Sequence, residues 1–410
     1  MPPALRGLLY IFSNRQILIT TSGTRNSGNQ KKLGGKLNPI PLVDILSDYK
    51  ADGRKRMTLL ELTKSLMNIP SVSGDEESVG VYLRDYLHSL GWTVELQPVE
   101  DIQNGKSAFR QSNVIAYLND TPRVWLSTHM DTVPPFIPPT EDDEKIYGRG
   151  SCDAKGIIAA QITAAEVLRQ EGIEDIGLLY TVDEERSSSG AKAANKHPLA
   201  AKCEYMINGE PTDNDLAIGS KGTFRVNIKT KGKAAHSAYP EEGESAIEKL
   251  LDILADIRKT KFPSDPFYGE TTVNIGTIEG GVALNVIAPT AAAALAIRLT
   301  TKRAPVEELL AKIVGGRAEI EVLSASEPVR LLEVDGFRQK VVRFTTDIPH
   351  LPNWGTPLLL GPGSILVAHT KDEFILKKDL ETAVGLYTNL VKQLLIREGL
   401  GDDRNHALSH

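Results

Sequence analysis

From Met57 onward the apolar residues switch repeatedly between a spacing of three and four, which suits a helix, and short unbroken runs, which suit a buried strand. Thr58 with Glu61 makes a capping box, so the first helix is expected to start there. Asp75 to Leu90 sets Val79, Leu83, Tyr86, Leu87 and Leu90 on one helical face. Strands are predicted over Trp92 to Pro98, Ser112 to Leu118, Arg123 to Thr128 and Gly177 to Val182, with a further apolar run from Tyr205 to Glu210. A buried helix is predicted from Ile157 to Ala165. Such alternation of strand and helix predicts an α/β fold.

A second pattern interrupts the first. Lys221 to Gly232 alternates like a half-exposed strand, and the helix after it carries Ile247, Leu250, Leu251, Leu254 and Ile257 on one stripe. Strands over Thr271 to Ile278 and Ala291 to Leu299, a helix over Val306 to Val314 and a strand over Ala318 to Leu323 complete a strand-helix-strand-strand-helix-strand order. That order is a ferredoxin-like α+β unit. Residues 220–326 are therefore expected to form an inserted domain, with 57–219 and 327–400 as one domain around it, ending in a helix over Leu380 to Ile396. Residues 401–410 read as a tail.

The 410 residues are 41% hydrophobic and 24% charged, an ordinary globular composition long enough for two domains. Formal net charge is −6 with acids and bases interspersed, which argues against a nucleic-acid partner. Two cysteines, Cys152 and Cys203, cannot staple a chain of this size, so both are expected as reduced thiols in the cytoplasm. Residues 1–56 differ from the rest: Leu8 to Phe12 is too short to span a bilayer, and Ser22 to Gly35 reads as disordered. Three readings fit this leader: an extension before a natural start at Met57, a dispensable tail, or a basic, acid-poor transit peptide for organellar import.

The candidate chemistry sits at the ends of the apolar runs. His129 and Asp131 close the Arg123 run, Asp183, Glu184 and Glu185 close the Gly177 run, and Glu210 closes the Tyr205 run. In an extended chain residues two apart share a face, so Asp131 can accept the second ring N–H of His129 and set its tautomer. Asp153 ends the glycine-rich turn Gly148-Arg149-Gly150-Ser151-Cys152 at a helix start, where it could bridge two cations. That turn lacks the Gly-Lys-Ser/Thr ending of a phosphate loop. Cys152 as a nucleophile would leave every acid of the series without a role. Adjacent carboxylates repel unless a positive charge lies between or beside them, and strand ends that gather carboxylates and imidazoles, His369 included, point to a metal site. His88, His197, His350, His406 and His410 find no place in the series and read as structural or solvated.

Five stretches in order, at 129–134, 148–156, 183–185, 209–212 and 368–373, resemble the M20 zinc amidohydrolases and peptidases, a likeness that runs from about Met57 to Arg397. The resemblance implies a zinc-peptidase-like catalytic domain with a central mixed sheet flanked by helices, and a ferredoxin-like lid that also makes a homodimer. It implies two zinc ions, with cobalt or manganese as substitutes: His129 and Glu210 on one, Glu185 and His369 on the other, Asp153 between them. Each ion would then keep a position open for water. Glu184 resembles the general base, and His236 resembles a histidine that reaches a partner's site and polarises the scissile carbonyl. Asn285 and Arg298 resemble residues that bind the substrate carboxylate, although the acid usual two places before this arginine is Ala296 here. Gly361 and Gly363 lie in a loop whose N–H groups would suit the same carboxylate. The implied substrate is an N-acyl amino acid or a short peptide. N-acetylornithine is the first choice, ahead of succinyl-diaminopimelate, aminoacylase substrates and dipeptides; a catalytically silent binding protein is the alternative from another class. Glu210, where many deacetylases have aspartate, is the commoner choice in the desuccinylase and carboxypeptidase branches.

Overall fold

The computed structural model describes residues 56–103 and 106–397. The leader expected over 1–56, apart from Arg56, and the tail expected over 401–410 lie outside them. Thr58 caps the first helix, α1 (Leu59–Met67), as its sequence predicts: its Oγ1 accepts from the Glu61 N–H at 3.2 Å and its own N–H donates to Glu61 Oε2 at 2.8 Å. Helix α2 (Glu77–Leu90) buries Val79, Leu83, Leu87 and Leu90 and stops at Gly91, whose φ of 90° only glycine adopts without cost. After it come β1 (Thr93–Gln103), β2 (Lys106–Tyr117), β3 (Val124–His129), the short β4 (Thr140–Glu141) and β5 (Lys145–Tyr147), and α3 (Lys155–Gln170). Then follow β6 (Ile176–Thr181), α4 (Ser189–Ala194), β7 (Tyr205–Asn208) and β8 (Leu216–Ser220).

The inserted unit is β9 (Gly222–Lys231), α5 (Ala246–Lys259), β10 (Thr272–Gly280), β11 (Thr290–Leu299), α6 (Arg303–Val314) and β12 (Glu319–Ser326). The chain then returns through β13 (Val329–Arg330), β14 (Gln339–Val342), β15 (Thr356–Leu359), β16 (Phe374–Leu376) and α7 (Lys377–Ile396).

The large sheet has nine strands in the order β1-β2-β6-β3-β7-β15-β8-β13, with β14 beside β8. Its centre, β6-β3-β7-β15, is parallel, whereas β1, β2 and β8 join antiparallel. The sheet is thus mixed, as expected. Strands β3 and β6 are buried along their whole length, which is why both read as unbroken apolar runs. Alternate residues serve opposite faces: Val124 and Leu126 join the core under α3 and α7, while Trp125 packs edge-on against Trp354 at 4.8 Å in the other core.

The inserted unit forms its own sheet, β10-β11-β9-β12, with α5 and α6 over one face and Phe224, Val226, Leu250, Leu295 and Ile297 among its core residues. This is the ferredoxin-like arrangement. One detail differs from the sequence pattern: Leu251, expected on the buried stripe of α5, is 52% exposed. The stripe centres on Leu250, Ile253, Leu254 and Ile257, and Leu251 sits about 100° around the helix from Leu250.

Candidate metal centre and active site

Parallel strands place their carboxyl ends on the same edge, and ligand sites in open α/β sheets form in the crevice outside those ends. Here the neighbouring strands β6, β3, β7 and β15 deliver Glu184 and Glu185, His129, Glu210, and the loop to His369, respectively, to one edge. Asp153 arrives from the turn before α3. Its two oxygens face two imidazoles: His129 Nε2 lies 3.0 Å from Oδ1 and His369 Nε2 lies 3.2 Å from Oδ2. His369 Nε2 is also 2.8 Å from Glu185 Oε1. One ligand atom each from His129, Asp153 and Glu185 lie within 4.8 Å of one another. His369 holds a left-handed φ of 64°, a conformation that a non-glycine residue keeps only when its surroundings impose it.

Asp131 organises the group from behind. His129 Nδ1 faces its carbonyl oxygen at 3.0 Å and its Oδ1 at 3.3 Å, so Nε2 is the nitrogen turned to the cluster. The same carboxylate accepts from the N–H groups of Glu184 and Glu185, each at 3.1 Å, and from Ser73 Oγ at 2.6 Å. It therefore holds the histidine and the double-glutamate turn in one frame.

The electrostatics are those of a cation site. Burial pushes the Glu184 carboxyl well above the usual range, and the charge of Glu210 adds to it. Burial also raises Glu210, against the pull of His129 and with a further push from Asp153. Burial works against ionisation of Asp153, but its bonds to His129 and His369 outweigh that and hold it below the ordinary carboxylate range. Bonds to Asp153 and Glu185 in turn raise His369 to about 10. Glu210 Oε1 is buried with no hydrogen-bond partner. Two imidazoles sharing one carboxylate, an orphaned acceptor and mutually repelling acids fit divalent metal, which would let all the carboxylates ionise together.

The remaining expected residues divide into two groups. Arg298 lines the same cavity as Asp153, Glu184, Glu185, Glu210 and His369. His236 and Asn285 do not line it; both are exposed on the inserted unit, where the Ser237 N–H next to His236 donates to the Asn285 carbonyl at 3.0 Å. Gly361 differs from expectation. Its N–H donates to Thr212 Oγ1 at 2.9 Å, and a Cβ there would stand 2.4 Å from the Glu210 carbonyl oxygen. Its role in the structure is close backbone approach beneath Glu210. Gly363, at φ 81°, likewise lets its loop pass Cys152, which a Cβ would meet at 2.6 Å.

Several residues escaped the sequence reading. Asp347 is 1% exposed and accepts from Thr181 Oγ1 at 2.8 Å, while its Oδ1 has no partner. Burial raises its carboxyl to about 6, against the bonds it receives from Thr181 and Ser188. It follows no apolar run, so no strand-end pattern marks it. His350, read as structural or solvated, lines the metal cavity. Glu373 closes the last matching stretch, yet only the fold reveals its contacts to the Gly150 to Asp153 backbone.

An acid-rich, two-imidazole centre at the carboxyl edge of a mixed α/β sheet, with an inserted α+β unit lining the same cavity, defines a class of metal-dependent hydrolase. Residues 125–393 match the model of "Peptidase family M20/M25/M40". The chain belongs to this family. It is 40% identical to a "Peptidase M20 domain-containing protein" of Schizosaccharomyces pombe over 81% of this chain and 84% of that one. It is 39% identical to a "Probable carboxypeptidase" of Paracoccidioides brasiliensis over 95% of this chain and 93% of that one. Its fold is similar to an M20 family metallo-carboxypeptidase from Sulfolobus solfataricus, with a TM-score of 0.65 at 19% identity over 82% of this chain and 99% of that one. It is also similar to a tripeptidase from Staphylococcus aureus, with a TM-score of 0.66 at 22% identity over 82% of this chain and 98% of that one. Among the described residues no helix is long and apolar enough to cross a membrane.

Proposed function

We propose that the chain hydrolyses a short peptide, releasing its carboxy-terminal amino acid through a centre that holds two zinc ions. The observation that carries this reading is Asp153, set between His129 and His369 with Glu184 beside the cluster. His129 and Glu210 would hold one ion, Glu185 and His369 the other, and Asp153 would serve both. Bound there, the ions supply Lewis acidity and water activation. Glu184 takes the proton of the attacking water and passes it to the departing amine as the C–N bond breaks, giving a carboxylate and a free amino acid.

Arg298 holds the substrate carboxylate, which a guanidinium can grip through two parallel N–H bonds. In one chain His236 stands apart from the metal cavity, so the carbonyl would be polarised by the partner subunit's His236 in a dimer. N-acetylornithine presents the same scissile amide. With its carboxylate on Arg298, its cationic side chain would meet Arg225 in the cavity, and relatives named as peptidases and carboxypeptidases support the peptide reading further.

The test is a release assay with metal-loaded enzyme over dipeptides, N-acetyl and N-succinyl amino acids. Glu184→Gln should keep its metal by elemental analysis and lose about 10²- to 10⁴-fold in rate. A binding protein without turnover would release nothing from any substrate, and a full-rate Glu184→Gln enzyme would refute the mechanism.

A further inference from the structure

Beside Arg298, the lid face opposite its helices carries polar groups to which the hydrolysis described above gives no role. Arg298 on β11 pairs with Thr223 on β9, and Arg225 pairs with Ala296, so both arginines share one face as diagonal neighbours. Strand β12 sets Ser326 opposite Thr223 on that face. Thr223, Arg225, Arg298 and Ser326 all line the cavity whose other wall holds Asp153, Glu184, Glu185 and Glu210. A register shift between Val322 and Ser324 adds Leu323 to the same wall.

This wall is short of anions. Neither Arg225 nor Arg298 has an ion-pair partner among the described residues. Burial and then the charge of Arg225 both work against the cation on Arg298. Arg298 Nη1, Thr223 Oγ1 and Ser326 Oγ are buried without hydrogen-bond partners. Buried polar groups are almost always paired, so three orphans beside two neighbouring cations describe a receptor for anionic oxygens. A single carboxylate would still leave one guanidinium uncompensated beside another.

We propose that the wall takes two carboxylates, and that the enzyme selects substrates whose carboxy-terminal residue is itself acidic. The α-carboxylate lies on Arg298 with the Thr223 and Ser326 hydroxyls, and the side-chain carboxylate lies on Arg225. Arg225 is then the residue that sets specificity. This inference rests on the hydrolase reading for its substrate, but its binding arm can be measured without turnover.

The isosteric pair Ala-Glu and Ala-Gln isolates the second charge. Metal-loaded enzyme should favour Ala-Glu by about tenfold or more in kcat/KM, mostly through KM. Arg225→Met should bring the two substrates to within about threefold, and Arg225→Lys, which keeps charge but not the fork, should fall between. Equal rates on the two peptides in the unaltered enzyme, or a preference that survives Arg225→Met, would overturn the proposal while leaving the hydrolase reading intact. If neither peptide nor any acyl amino acid is cleaved, the hydrolase reading fails. Calorimetric titration with glutarate and its monoamide then decides the anion site: glutarate should bind about tenfold tighter, and Arg225→Met should abolish the difference. Equal affinities would reject it.

Discussion

Glu373 offers the sharpest test of how the centre is held together. It is 1% exposed and receives Arg149 Nη1 at 2.5 Å and the N–H groups of Gly150 at 2.9 Å, Cys152 at 3.3 Å and Asp153 at 3.3 Å. One carboxylate therefore neutralises a guanidinium that is itself only 2% exposed and also ties down the loop that carries Asp153. Glu373→Gln removes the charge while nearly keeping the shape. The guanidinium is left buried and uncompensated, and the new NH₂ group must face donors. Breaking a buried pair in this way costs about 3–5 kcal/mol. That is a large share of the total stability of about 5–15 kcal/mol that a folded domain holds. Urea unfolding should show the loss, and metal affinity should fall by about 10- to 100-fold because the Asp153 backbone is no longer braced. Adding Arg149→Met to Glu373→Gln should recover part of the loss, since no guanidinium is then left uncompensated while the amide oxygen still accepts from the Gly150, Cys152 and Asp153 N–H groups. A single-variant loss below about 1 kcal/mol, or a double variant no better than the single one, would refute the assignment.

Chelation should abolish turnover and lower the thermal midpoint together, because metal binds only the folded arrangement, and added zinc should restore both. Full activity in protein shown to be metal-free would exclude the metal-centre mechanism. If the partner subunit's His236 completes each site, mixing inactive His236→Ala with inactive Glu184→Gln subunits should recover about a quarter of the unaltered rate, since half the dimers are hybrids with one intact site. No recovery after verified subunit exchange would remove the composite site. Lys155 is 1% exposed, and burial lowers its ammonium to about 7, partly offset by the charge of Glu373. The folded chain releases this proton at about pH 7, whereas the unfolded chain keeps it until about pH 10.4. Stability relative to Lys155→Met should therefore rise with pH across that window, because the unfolded state binds more protons there. A difference that is flat or falls would contradict the buried ammonium.

Local pattern carried much of the architecture because helix and strand periods are set by which face meets the core. The buried stretches of β3 and β6, the α5 stripe apart from Leu251, and the Thr58 capping box were all legible from neighbouring residues alone. The acids and histidines of the centre were legible for a related reason: each follows an apolar run that must end at a sheet edge. Gly361 was misread, since a glycine in sequence does not reveal whether its N–H is free or already given to Thr212.

The chain alone determined which residues could bind metal and that two different element orders alternate along it, since donor chemistry and periodicity are properties of residue type and spacing. Only the tertiary structure decided that β6, β3, β7 and β15 lie side by side and parallel, so that acids and histidines far apart in sequence meet around Asp153. It alone also joined Glu373 to Arg149, and Arg225 to the wall facing the metal centre. Those contacts depend on strand order and register between distant segments, and no local spacing encodes them.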